Sequence, residues 1–125
     1  MYVYSFEKLE VWKESKKLTK IIYQITSRYP ENEKFGLTSQ LRRASISVCS
    51  NLAEGSARIT PKDKAHFSTM AYSSLIEVLN QIIISYELDF INESDYLNFR
   101  NLIESLSNKI NSLRKFQLNE STKNN

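Results

Sequence analysis

The chain has 125 residues, of which 41% are hydrophobic and 25% charged, and its 17 Lys and Arg against 14 Asp and Glu give a net charge of +3. This length suits one domain whose hydrophobic core needs neither disulfides nor a structural metal ion. The 2 glycines exclude a Walker loop and a dinucleotide-binding fingerprint, and the 1 Cys and 1 His exclude internal disulfides and Cys-rich or His-pair zinc sites. We therefore expect an all-α protein without enzymatic activity, cofactor or metal ion.

The N-terminal residues and the apolar runs indicate where the protein resides. Residues 1–10 lack the apolar stretch of a secretory signal peptide. No apolar run approaches the roughly 20 residues that span a bilayer. The sequence therefore predicts a cytoplasmic protein that does not contact membranes.

Apolar residues recur at spacings of three and four along the chain and predict four helices. The first stops before Pro30, because the residue preceding a proline is displaced from helical geometry. The third has the clearest start, since Thr60 offers an N-cap hydroxyl and Pro61 occupies the first helical position. The fourth begins after Asn92. The predicted helices span residues 6–29, 38–56, 61–88 and 93–116.

The connections between these helices are short, which is typical of an antiparallel up-down four-helix bundle. We therefore assign residues 1–118 to a single four-helix-bundle domain. Residues 119–125 are polar and are expected to form a frayed tail.

The third predicted helix is apolar over roughly 200° of its circumference, whereas a surface helix needs a stripe of little more than about 100°. Either this helix is central and wrapped by its neighbours, or part of its surface meets another subunit. A four-helix bundle has no central helix, which favours a homo-oligomer. Its interface is expected at apolar residues that lie outside the core stripes. The predicted oligomer interface comprises Ile46, Tyr72, Ile76, Leu79 and Ile83.

A polar stripe lies beside the apolar stripe of the second predicted helix, and it has two interpretations. It is either a recognition face for phosphates or an internal polar network. Because the stripe mixes Glu with Arg, the network is the favoured interpretation, with Gln40, Asn51 and Glu54 as its members.

Basic residues are concentrated in the first half, where residues 1–64 hold 12 Lys and Arg against 7 Asp and Glu. Such a one-sided field attracts phosphate, although solvated helix faces explain the same pattern. Arg42 and Arg43 are adjacent and point about 100° apart, so they do not serve one small site. The predicted nucleic-acid-binding residues are Arg42, Arg43, Arg58, Lys62 and Lys64, followed by the ridge Lys13, Lys17 and Lys20.

Residues that carry chemistry in other proteins are isolated here. His66 has no second His beside it, and Cys49 has neither a paired Cys nor an evident base. Trp12 and the 7 tyrosines offer rings that can stack on bases, but most fall at core spacing.

Four segments together resemble a known bacterial family. They are Phe6–Trp12 (FEKLEVW), Tyr29–Leu37 (YPENEKFGL), Leu37–Gly55 with its LTSQLRRA and SVCSNLAEG blocks, and Ala71–Glu77 (AYSSLIE). This pattern is similar to the S23 family, whose genes lie in intervening sequences of 23S ribosomal RNA genes. The chain departs from it at Ser73-Ser74, where Gly-Ser is usual, and at Cys49-Ser50, where a proline and a small residue are common.

The resemblance implies an antiparallel four-helix bundle that assembles into a ring-like homopentamer. Related bundles are accessory proteins of reverse transcriptases in diversity-generating retroelements. We therefore expect a non-enzymatic oligomeric module that binds nucleic acid, RNA or DNA and foremost structured RNA, through a basic surface. The alternative is a scaffold or accessory subunit for a partner enzyme such as a reverse transcriptase, without direct nucleic-acid contact.

Overall fold

The computed structural model describes residues 1–123 and the side chains of residues 1–120. Within this range the chain is all-helical, with four α-helices and no strand. The helices are α1 (Glu10–Thr26), α2 (Leu37–Ser56), α3 (Pro61–Glu87) and α4 (Glu93–Lys123). Two short 3₁₀ helices, Ser5–Lys8 and Glu31–Glu33, precede α1 and α2.

One hydrophobic core receives an apolar stripe from each of the four helices. On α4, Phe99, Ile103, Leu106 and Ile110 are buried at the alternating three- and four-residue spacing that the sequence displays. This spacing keeps one face of each helix turned inward. The most deeply buried side chains of the other helices are Leu18, Ile22, Leu41, Val48, Leu75, Val78 and Ile82.

The helix starts predicted from side-chain caps are confirmed for α3 and α4. The backbone N–H of Asp63 donates to the Thr60 hydroxyl over 3.1 Å, and Pro61 is the first residue of α3. The N–H of Asp95 likewise donates to Asn92 Oδ1 over 2.8 Å.

The first predicted helix, residues 6–29, is wrong at both ends. Ser5–Lys8 forms a separate 3₁₀ turn, because the Glu7 carboxylate accepts the N–H of Tyr4 and Leu9 is extended. At the other end α1 stops at Thr26, and the chain turns so that Tyr29 is buried beside the ring of Phe90.

The predicted domain boundary at residue 118 does not coincide with a helix end, since α4 continues through Lys123. No Gly or Pro follows Phe116 to end the helix, and Gln, Leu and Glu are good helix formers. Asn124 and Asn125 lie outside the described residues.

Gly55 lies in the last turn of α2, one residue before its end. A Cβ at Gly55 would lie 2.8 Å from the Cβ of Phe67 on α3, closer than side chains tolerate. The absence of a side chain at Gly55 therefore lets α2 and α3 approach each other just before the connection between them.

Among residues 1–123, none of the helices combines the length and the apolar composition that crossing a bilayer requires.

Candidate nucleic-acid interface

The end of the molecule where α2 passes into α3 gathers basic residues from several elements. A cavity of about 420 Å³ at this end is lined by residues just before α1, early in α3 and late in α2 and α4, among them Leu9, Leu52, Pro61 and Phe116. We call the residues around it, 1–17, 52–68 and 109–120, the basic end. They carry ten Lys and Arg against six Asp and Glu, whereas residues 18–51 and 69–108 carry six against eight. The positive field is therefore concentrated at one end of the molecule.

The three predicted basic residues of the α2–α3 connection lie together at the basic end, but their side chains have different surroundings. Lys62 is exposed, and so is Arg58, whose guanidinium lies 4.5 Å from the ring centre of Phe67. Lys64 is half-buried, and its Nζ donates to the carbonyl of Ser56 over 3.2 Å. Lys64 thus caps the last turn of α2 instead of projecting toward a ligand.

Arg42 and Arg43 lie on α2 away from the basic end and diverge, as their adjacency predicts. Arg42 is half-buried, and its Nε donates to the Thr26 hydroxyl over 2.9 Å while its guanidinium lies 4.5 Å from the ring centre of Tyr23. This contact fastens α2 to α1, so the guanidinium of Arg42 is engaged within the fold. Arg43 is exposed.

The lysine ridge occupies the outer face of α1, and each of its acidic neighbours has a cationic partner. Lys13 pairs with Glu10 over 3.7 Å. Glu14 pairs across the fold with Lys109 of α4. Lys17 and Lys20 are exposed and make no ion pair with any residue whose side chain is described.

The polar stripe of α2 faces α3 and forms two hydrogen-bonded groups there. Gln81, buried on α3, donates to Glu77 over 3.1 Å and to Gln40 over 3.4 Å. The Ser47 and Ser74 hydroxyls lie 2.9 Å apart, and Asn51 donates to Ser47. The side chain of Glu54 is exposed and makes no hydrogen bond or ion pair with residues 1–120, so it lies outside these groups.

The predicted oligomer-interface residues are accessible to different degrees. Ile46 and Ile76 are 43% and 40% exposed. Tyr72, Leu79 and Ile83 are half-buried, and a shallow groove between α3 and α4 is lined by Tyr72, Ile76 and Leu79.

Residues that suggest catalysis do not converge. Within the described part of the chain, no three His, Cys, Asp or Glu side chains are placed to hold a metal ion. Burial raises the pKa of the Cys49 thiol, an effect that its contact with the Thr19 hydroxyl only partly offsets. The Cys49 thiol is therefore a weak nucleophile at neutral pH. His66 is exposed beside the ring of Phe67.

Sequence reasoning missed an aromatic series before α1. Tyr2 and Tyr4 are 76% and 61% exposed, and their rings continue through Phe6 to Trp12. The signal was the close recurrence of aromatic residues at positions 2, 4 and 6, just before α1.

The fold and the charge distribution define an all-helical, four-helix protein with one basic end. Residues 7–112 match the sequence model of the 23S rRNA-intervening sequence protein family. The chain belongs to this family.

A solved structure with the same fold is a protein of unknown function from the S23 ribosomal protein family of Bacteroides thetaiotaomicron. It is 18% identical to this chain and superposes with a TM-score of 0.75. The alignment covers 84% of this chain and 98% of the other. No curated protein matches the sequence.

Proposed function

We propose that this protein is a non-enzymatic homo-oligomeric module that binds nucleic acid, foremost structured RNA, through its basic end. The observation that carries the proposal is the excess of cations at this end, where Arg58 and Lys62 are exposed without ion pairs among residues 1–120. Phosphate contacts of this kind supply affinity without base specificity.

The local structure at the start of α3 favours a phosphate. The N-terminus of a helix carries partial positive charge and free N–H groups. Lys62 is in this first turn, and the ring of Phe67 supports the guanidinium of Arg58 from one side. An Arg held over a ring loses less side-chain entropy when it binds a phosphate.

The assembly that we propose is an antiparallel up-down bundle in a ring of identical subunits. Pairs of contacting residues on α2 and α3 support the antiparallel arrangement, because their numbers change in opposite directions: Gly55 meets Phe67, Ser47 meets Ser74, and Gln40 meets Gln81. The exposed Ile46 and Ile76 support the homo-oligomer, because a second copy would remove them from water.

Binding of a fluorescently labelled RNA hairpin, followed by anisotropy, tests the function. We expect affinity to fall steeply between 50 mM and 200 mM salt, because each neutralised phosphate releases counterions. The variant Arg58→Gln/Lys62→Gln should bind more weakly at every salt concentration and reduce the salt slope by about 1 to 2.

The variant Arg28→Gln/Lys34→Gln is the matched control, since it removes one exposed Arg and one exposed Lys outside the basic end. It should retain the wild-type affinity. Equal losses in the two variants would contradict the assignment to the basic end, and the absence of any RNA binding would contradict the function. Recovery of a partner enzyme after nuclease treatment, together with no RNA binding, would favour the accessory scaffold instead.

A further inference from the structure

Four aromatic rings form a continuous series that begins before α1 and ends on its first turn. We call Tyr2, Tyr4, Phe6 and Trp12 the aromatic ladder. The ring centres of Tyr2 and Tyr4 are 4.9 Å apart, those of Tyr4 and Phe6 are 6.5 Å apart, and those of Phe6 and Trp12 are 5.0 Å apart. Each of these spacings is a direct ring contact.

The outer part of the ladder does not contribute to the core. Tyr2 and Tyr4 are 76% and 61% exposed, and neither belongs to the core cluster or packs against it. The segment is nevertheless held, because the N–H of Tyr4 donates to Glu7 Oε2 over 2.8 Å. Adjacent exposed rings that are fixed in place but do not stabilise the core are a feature of binding surfaces.

The ladder lies beside a lysine whose acidic neighbours are already engaged. Lys16 Nζ lies 4.6 Å from the ring centre of Trp12. Glu10 pairs with Lys13, Glu14 pairs with Lys109, and Glu7 accepts the N–H of Tyr4. The cation next to the rings therefore has little competition from carboxylates.

We propose that the aromatic ladder and the adjacent Lys16 of α1 bind unpaired nucleotides, with bases stacked on Tyr2 and Tyr4 and a phosphate held by Lys16. Aromatic rings interleaved with cations are the pattern by which proteins hold single strands, because every base has a free face once it is unpaired. In a duplex those faces are covered, and only the phosphates remain available. This inference rests on the proposed function and assigns to the ladder the unpaired segments of the bound RNA.

The ladder extends beyond the family match, which begins at residue 7. Tyr2 and Tyr4 are therefore features of this chain that the family match does not include. The inner rings, Phe6 and Trp12, connect them to α1.

The test compares an oligouridine of about 12 nucleotides with a duplex RNA of the same length, both labelled and followed by anisotropy. Tyr2→Ala/Tyr4→Ala should weaken binding of the single strand about tenfold or more and leave duplex binding within about twofold. Trp12, the chain's one tryptophan, adds a direct signal, because its fluorescence should be quenched by oligouridine in the wild type and much less in this variant.

Phe35→Ala is the matched control, because Phe35 is an aromatic side chain that is 89% exposed in the connection before α2. It should bind both RNAs as the wild type does. Circular dichroism should show the same helix content in all variants, since Tyr2, Tyr4 and Phe35 lie outside the core.

The outcomes separate this inference from the proposed function. If the Tyr2→Ala/Tyr4→Ala variant binds both RNAs as the wild type does, the inference is overturned while RNA binding by the basic end stands. If the variant instead forms a smaller oligomer in light scattering, the ladder is covered by a second copy and the inference is again overturned. If the wild type binds neither RNA, the proposed function fails, and the inference fails with it.

Discussion

Gly55 is a residue at which two opposing effects on stability can be compared. In a helix, replacing Gly by Ala gains about 1 kcal/mol of helix propensity. Here the added Cβ would lie 2.8 Å from the Cβ of Phe67, which is attached directly to the backbone of α3 and cannot rotate away. The steric term should win, because relieving it requires the two helices to separate.

We predict that Gly55→Ala lowers the free energy of unfolding by about 1–3 kcal/mol. Equilibrium denaturation in guanidinium chloride measures it, with Ser50→Ala, an exposed position of the same helix, as the control. A stability equal to or above that of the wild type would show that α2 and α3 do not approach closely at this residue.

Cys49 provides a pH-dependent prediction from a single thiol. Burial raises its pKa, so the folded state binds the thiol proton more tightly than the unfolded chain does. The contribution of this thiol to the free energy of unfolding is therefore fully present at neutral pH. It declines as the pH rises above the pKa of the thiol in the unfolded chain, about 8.5. We expect Cys49→Ala to show a smaller loss of unfolding free energy than the wild type between about pH 8 and pH 10.

The rate of Cys49 alkylation by iodoacetamide checks the same shift independently. In the folded protein its pH midpoint should lie above that of the chain unfolded in guanidinium chloride. Coincident midpoints would mean that burial does not perturb the thiol.

At the scale of elements, the end of α3 contains a residue in an unusual conformation. Asp89 has a φ of 62° and is the first residue past the C-cap Leu88. The N–H groups of Asp89 and Phe90 donate to the carbonyls of Tyr86 and Ser85, which is a Schellman motif. Gly is favoured at such a position because it has no Cβ.

We predict that Asp89→Gly raises the free energy of unfolding by about 0.5–1 kcal/mol. The variant Asp89→Ala separates the effect of backbone conformation from the effect of charge. Like Asp89→Gly, it removes the negative charge at the helix C-terminus, but it keeps a Cβ at positive φ. Thermal or chemical denaturation should therefore rank Gly above both Ala and Asp. Equal stabilities for Gly and Ala would assign the effect to charge alone.

Much of the element structure could be predicted from sequence because the signals are local. Thr60 and Asn92 mark helix starts through hydrogen bonds that span three residues, and the core stripes follow from helical spacing. The break before Glu10 could not be predicted, because the apolar pattern continues across it. The role of Gly55 depends on Phe67, 12 positions away on another helix, and no local pattern contains that contact.

At the scale of the whole molecule, the candidate site could be predicted only as a list of cations. Sequence order placed Arg42, Arg58 and Lys64 in one group, whereas the fold uses Arg42 to fasten α1 and Lys64 to cap α2. Their side chains reach partners that are distant in sequence or across a connection. The folding of α4 onto the end where α3 begins increases the charge asymmetry, because residues 109–120 add three cations and one carboxylate to the basic excess of residues 1–17 and 52–68.

Apolar side chains remain exposed on the surfaces of α2 and α3. Ile46 and Ile76 remain 43% and 40% exposed in the single chain, and a second copy that covered them would gain hydrophobic free energy. Light scattering at micromolar concentration should therefore give a mass several times the 14.6 kDa of one chain, and five times that mass for the homopentameric ring that the family resemblance implies.

Ile76→Asp should lower this mass, because an unpaired carboxylate buried in an apolar contact is costly. Leu97→Asp is the matched control, since Leu97 is an equally apolar residue, 51% exposed on α4, outside the proposed interface. It should retain the wild-type mass. A wild-type mass of 14.6 kDa would refute the oligomer, and a loss of mass in both variants would move the interface to a surface that includes α4.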